Sequence, residues 1–220
     1  MMATYNDIKK RVAYLRGETN YTTAGDDATI IADHINFTIE DIVNRHPFSW
    51  NQTYDDLTLV AGVATMPTDY NPHWPVQDAR IEGSSDDDDD IFTIIDPNDR
   101  DNYSSDEYAA WITRDSTTGD YTFNSKTLTG TVRVYYYFIP TALSAADDPC
   151  IVPDAEAVAY LATSKFLMGE DLTPQAIQMK KDFQEEGLAR IDAMAAQDIG
   201  WGPQMTQGSV LDSNANLQED

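Results

Sequence analysis

The period of the apolar residues changes twice along the chain. Over residues 4–16, Ile8, Val12 and Leu15 recur at four- and three-residue steps and Gly17 follows, which predicts an amphipathic helix with a glycine stop. From about Asp26 to His46 the stripe Ile31, Ile35, Ile39, Ile42 and Val43 predicts a second helix, opened by Asp26 and Asp27 and ended by Pro47. Between Phe48 and Pro140 the helical period vanishes. Thr, Tyr, Val, Ile and Trp predominate, broken by Asp, Asn, Gly and Pro, and strands are predicted at 57–61, 79–82, 91–95, 110–113, 121–124 and 130–139. The last of these, GTVRVYYYFI, is the strongest, and Thr117-Thr118-Gly119-Asp120 reads as a hairpin turn. Ser104-Ser105-Asp106-Glu107 has the spacing of a capping box.

After Pro140 the helical period returns. Residues 154–168 carry Ala155, Val158, Leu161, Ala162 and Phe166 on one face. Thr173-Pro174 then reads as an N-cap with proline at the first helical position. It opens a helix to about residue 198 with the stripe Ala176, Phe183, Gly187, Ile191 and Met194. A glycine inside that stripe predicts close approach of another helix. Residues 199–220 show no period. The expected fold class is α+β: an antiparallel helical bundle of two N-terminal and two C-terminal helices, a central inserted β-rich domain, and an extended C-terminal tail. The corresponding units are 1–47 with 141–198 for the bundle, 48–140 for the insert and 199–220 for the tail.

Charge narrows the chemistry. The 220 residues hold 38 Asp and Glu against 14 Lys and Arg, a formal net charge of -24. Such a chain lacks the cations a nucleic-acid backbone or an anionic membrane surface demands. The segment 48–140 holds 17 acids against 5 bases, half of the excess. No apolar run reaches membrane-spanning length, and residues 1–17 are amphipathic without a continuous apolar centre, so neither a membrane anchor nor a signal peptide is expected. The single cysteine, Cys150, offers no intramolecular disulfide and no paired-cysteine metal or redox site.

No nucleotide-binding, hydrolase or zinc-protease motif is present, and no cofactor is implied. His34, His46 and His73 are scattered without ligand spacing. Cys150 lies among acids, the wrong surroundings for a thiolate nucleophile. Asp86–Asp90 is read first as a solvated loop, with calcium as the alternative. Asp96, Asn98 and Glu107 fall at positions one, three and twelve of a calcium-hand loop. Arg100 stands at a ligand position, however, and Asp101 replaces the required glycine. The expectation is therefore a non-enzymatic protein.

Two features point to partners. Lys9, Lys10, Arg11 and Arg16 form the only basic cluster; they are either the solvated side of a helix or the complement of an acidic neighbour, such as a second copy. Trp201, Met205, Val210 and Leu211 dot the polar tail, either as docking anchors or within plain disorder. The aromatic segment adds Tyr135 and Tyr137 on one strand face and Tyr136 and Phe138 on the other, so both faces are expected to be covered.

Several stretches resemble the head-to-tail adaptor, or connector, proteins of tailed bacteriophages. These are TYNDIKKRVAYLRGE leading into a second helix, the following HPFSWNQTYDDLTLVAGVATMPTDY, the exit from Thr131 to Pro140 with Ala142-Leu143, and Pro149 to Pro153 before the alanine-rich helix. The resemblance covers most of residues 4–198; the five-aspartate loop and the long tail depart from it. It implies a structural virion protein at the head–tail junction: a homo-oligomeric ring, usually dodecameric, that docks on the portal and seats a tail or nozzle protein. Genomic DNA would pass through an acidic channel without specific binding. The other readings are a tail or decoration protein that binds a virion surface, and a calcium-dependent enzyme or regulator using residues 86–107.

Overall fold

The structure is a computed structural model that describes residues 2–18, 26–81, 91–104, 108–127, 129–167 and 173–198. The aspartate run at 86–90, most of the capping-box candidate at 104–107, and the tail lie outside the described residues. Among the described residues four α-helices and seven strands follow in the order α1 (Tyr5–Leu15), α2 (Asp26–Arg45), β1 (Gln52–Val60), β2 (Val63–Thr65), β3 (Asp78–Ile81), β4 (Thr93–Ile94), β5 (Ala109–Arg114), β6 (Tyr121–Ser125), β7 (Thr129–Tyr137), α3 (Ala155–Phe166) and α4 (Pro174–Asp198).

The helix ends follow local chemistry. Thr4 and Asp7 form a reciprocal capping box at the start of α1. Asp154 accepts from the amides of Glu156 and Ala157 at the start of α3, and the Thr173 hydroxyl accepts from the Ala176 amide at the start of α4. α3 is buried round most of its circumference, at Ala157, Val158, Ala159, Leu161, Ala162, Thr163, Ser164 and Phe166. It is the hub on which α1, α2 and α4 each lay one stripe. In α4 only Gly187 and Ile191 are fully buried, while Phe183, Leu188 and Met194 are half-buried beside them.

The strands form one sheet in the order β3-β7-β1-β2-β6-β5-β4, antiparallel except for the β4–β5 pair. Its two edges meet: Arg80 bridges Ile91, and the Phe92 amide donates to the Ala79 carbonyl at 2.7 Å. The curl encloses a core of Leu57, Leu59, Ala64, Ala79, Phe92, Ala110, Phe123, Val132, Val134 and Tyr136. These residues largely alternate with outward ones, as the period of a strand requires.

The expected helical bundle with an inserted β-rich domain is not what forms. The fold is mixed α/β, a nearly closed, barrel-like seven-stranded sheet with four helices gathered on α3. The physical reasons are two. α1, α2 and α4 each pack chiefly on α3 and much less on one another, so the helices make a layer around one buried helix. The segment before β1 and the loop between β2 and β3 also bind the helices directly, so the sheet is fused to them rather than hung from them. Trp74 Nε1 donates to the Val43 carbonyl at 2.8 Å, Asn71 Nδ2 to Asn44 Oδ1 at 2.8 Å, and the Ser49 amide to Asp198 at 2.9 Å.

The glycine inside the α4 stripe lies where two helices touch. A Cβ built on Gly187 would stand 2.6 Å from Cγ of Leu161 on α3. Gly187→Ala is expected to lower stability by about 1–2 kcal/mol, because overpacking outweighs the ~1 kcal/mol gained in helix propensity. Urea denaturation checks the sign; a stabilised variant would mean that the helices are looser than described.

The segment after β7 straps α1 in place. Tyr5 and Asn6 amides donate to the carbonyls of Asp148 and Ala146, and the Asp148 carboxylate accepts from the amides of Ser144 and Ala145 at 2.7 and 2.8 Å. Those backbone bonds hold the Asp148 carboxyl below its ordinary value, and the bonds from Thr4 do the same for Asp7. A depressed folded pKa contributes stability above the unfolded value near ~3.9, and that contribution is lost as the pH falls through the folded value. Asp148→Ala should therefore destabilise the protein at pH 7, and its penalty should shrink below about pH 4. Denaturant midpoints for both proteins at neutral and acid pH test this; a penalty independent of pH would refute it.

Candidate assembly surfaces

The basic cluster of α1 does not form one patch. Helical geometry spreads it round the axis. Arg16 stacks on Phe166, its guanidinium carbon 3.5 Å from the ring centroid, and pairs with Glu18 at 2.7 Å and Asp27 at 3.6 Å. Arg11 pairs with Glu156 at 2.9 Å and lies 5.9 Å from the Tyr160 ring centroid and 5.5 Å from that of Tyr14. Partial burial opposes the charge of Arg11, and Glu156 with Tyr160 outweighs it, so its pKa is raised. Both arginines fasten α1 to the molecule. Lys9 lies 4.1 Å over the Tyr5 ring, and Lys10 is exposed. The tail residues Trp201, Met205, Val210 and Leu211 lie outside the described residues.

The aromatic strands are covered unequally. Tyr136 faces the interior and donates to Asp69 at 3.1 Å; burial, and then Asp69, push its pKa up. Tyr137 is buried beneath Trp74, with ring centroids 6.4 Å apart. Outside, β3, β7 and β1 carry a ladder of side chains. Arg133 grips Asp56 through two hydrogen bonds of 2.8 and 2.9 Å and lies 4.6 Å over Tyr54, which itself packs on Tyr135. Arg80, paired with Asp78, lies 5.7 Å from the Tyr135 ring. The Arg133–Asp56 bonds raise the guanidinium's pKa and hold the carboxyl below its ordinary value. The ladder is satisfied within the chain and leaves Tyr54 exposed.

The remaining candidates are structural. Burial raises the pKa of Cys150, which is 2% exposed. His34 packs edge-on against Phe166, and burial, then Lys165, lowers its pKa. His46 packs against Phe48 and lies 3.7 Å from Asp198. Asp96 caps a 3-10 turn at 97–102 by accepting from the Asn98 amide, a local role. Among the described residues no group of three or more His, Cys, Asp or Glu could hold a metal ion. None of the described helices is long and apolar enough to cross a membrane.

Sequence reading missed two exposed apolar sites. Ile30 and Phe37 point outward from α2, 42% and 64% exposed; the available signal was that both fall out of phase with the stripe Ile31, Ile35, Ile39 and Ile42. Val60 and Val63 flank the β1–β2 turn, 71% and 44% exposed. No binding chemistry involving a small ligand is assembled by these groups. They are of the kind that other proteins cover.

A comparison with curated proteins finds no match. The family model described as SU10 adaptor protein matches residues 3–207, which bears out the resemblance carried by the N-terminal helix, the Tyr-rich strand and its exit. The chain therefore belongs to the SU10 adaptor protein family and is a bacteriophage structural adaptor protein, a component of the virion.

Proposed function

We propose that the chain is the subunit of a head-to-tail adaptor ring, a dodecamer that docks on the portal and seats a tail or nozzle protein at the head–tail junction. The adaptor-family match over residues 3–207 carries this reading. The architecture supports it. A sheet whose edges meet offers little free strand edge, so copies would associate through side chains and keep their own folds. The net charge of -24 suits a channel wall that repels the DNA backbone and lets the genome pass without specific binding. In this reading Lys9 and Lys10 meet an acidic neighbour, whereas Arg11 and Arg16 hold α1 in shape. Trp201, Met205, Val210 and Leu211 anchor the tail on an adjoining protein.

Gold-labelled antibody on intact and disrupted particles, viewed by electron microscopy, tests the placement. Label at the head–tail junction is the expected result. Label on the capsid surface or distal tail would replace the ring with a decoration or tail role. A neck reconstruction with the carboxylates on the outer rim and a neutral lumen would remove the acidic channel.

A further inference from the structure

The Val60–Val63 tip and the Ile30–Phe37 face lie on different parts of the molecule. At the β1–β2 turn, Val60 and Val63 face each other as the closing pair, and between them Ala61 adopts φ 53° and Gly62 φ 81°. Turns of this hand usually take Asn-Gly or Asp-Gly. Here an alanine adopts the left-handed region at a cost of about 1–2 kcal/mol, and the tip is apolar throughout. The neighbouring turn from β6 to β7 touches it, the Ser125 amide donating to the Gly62 carbonyl at 2.8 Å. Residues 57–67 and 121–132, which build both turns, contain no carboxylate and one cation, Lys126, in a chain otherwise crowded with acids.

The second site is the outward face of α2. Ile30 and Phe37 are seven residues apart, two helical turns, so they share a face. Exposed Asp33 and Glu40 flank them at the same spacing. Behind Phe37, Lys165 stands 5.3 Å over the ring and is held by Asp41. One site is an apolar tip with a lysine; the other is an apolar face with carboxylates. They cannot meet within one chain. The tip closes β1 at the Val60–Thr129 pair, whereas α2 abuts the other end of that strand pair, near Gln52–Tyr137, about 27 Å away at 3.4 Å per residue.

We propose that the β1–β2 tip of one copy docks on the Ile30–Phe37 face of α2 in the next, with Lys126 near Asp33 or Glu40. The proposal deepens the ring reading and rests on it. A contact between two different surfaces is heterologous, and repetition closes it into a ring when the rotation allows. It also places the least acidic part of each copy against its neighbour, where mutual repulsion is smallest.

The test uses the full-length chain and two double variants. Val60→Asp with Val63→Asp disables the tip, and Ile30→Asn with Phe37→Asn disables the face. All four positions are exposed, and far-UV circular dichroism checks that both variants fold. Analytical ultracentrifugation over a concentration series should show that the wild type self-associates. Each variant alone should associate about 100-fold more weakly. Their mixture should form dimers and nothing larger, because one intact tip and one intact face remain between them. Association unchanged in either variant overturns the contact and leaves the ring standing on another interface. A mixture that forms no dimer also overturns it. A wild type that stays monomeric throughout removes self-docking by this contact, while the ring itself is judged independently by labelling at the head–tail junction.

Discussion

Phe48→Ala is expected to destabilise the protein by about 3–5 kcal/mol, the usual range for deleting a large aromatic from a closed core. Phe48 is fully buried, stacks on Trp50 at 4.9 Å and meets His46 edge-on at 4.7 Å. It is also the hinge of the architecture. It follows Pro47, links α2 to β1, and sits one residue before Ser49, whose amide and hydroxyl both bind Asp198 at the end of α4. A cavity there cannot be filled from one side without moving the other. Helix melting, followed by circular dichroism, and tryptophan fluorescence, to which Trp50 and Trp74 at the joint and Trp111 in the sheet contribute, should therefore shift together in urea. Phe48→Leu, which keeps most of the volume, should cost about 1 kcal/mol. A loss below 1 kcal/mol for the alanine variant would refute the hinge, as would a helical transition that moves while the sheet transition stays.

Gly62→Val should cost about 3 kcal/mol, the sum of a strained backbone and a clash that nothing can relieve. At φ +81° a β-branched residue is disfavoured, and a Cβ there would lie 2.5 Å from the Ser125 carbonyl oxygen and 3.4 Å from that of Thr127. Both are backbone atoms of the adjoining turn. The variant must open the β2–β6 pairing or lose the Ser125-to-Gly62 bond. Gly119 provides the internal control. Its φ is +82°, but the nearest atom to its Cβ is an Arg114 side-chain nitrogen at 3.6 Å, so Gly119→Val should show the backbone strain alone, about 1–2 kcal/mol. Thermal denaturation of the two variants compares them directly. Equal losses would show that crowding at the hairpin contributes nothing. If the tip docks on a neighbour, Gly62→Val should also lower incorporation into particles.

Much of the chain's organisation was legible before any coordinates. All four helices form close to their expected bounds, because each carries its own start or stop signal: Gly17 after α1, Pro47 after α2, Asp154 before α3 and Thr173-Pro174 before α4. The close approach at Gly187 was legible as a glycine within an apolar stripe. The Tyr-rich strand and the flanking motifs carried enough pattern to resemble the adaptor family that the match over residues 3–207 then showed. The architecture was not legible. The three-residue strand β2 is too short to leave a period, and the register of β1 to β7 across 68 or more intervening residues is a long-range pairing. The expected bundle failed because the helix pattern says which face is apolar and not which helix will meet it.

The functional surfaces divide the same way. Residue type and spacing along the chain determined the helices, the most persuasive strand, the acidity that disfavours nucleic-acid binding, and the family resemblance, since these depend on local propensity, periodicity and summed charge. Tertiary structure alone decided that Arg11 and Arg16 are spent on Glu156, Tyr160 and Phe166, that the sheet curls until β3 meets β4, and that Ile30, Phe37, Val60 and Val63 are left uncovered. The reason is physical: burial and pairing are properties of what a residue faces, and what it faces is supplied by parts of the chain far away in sequence.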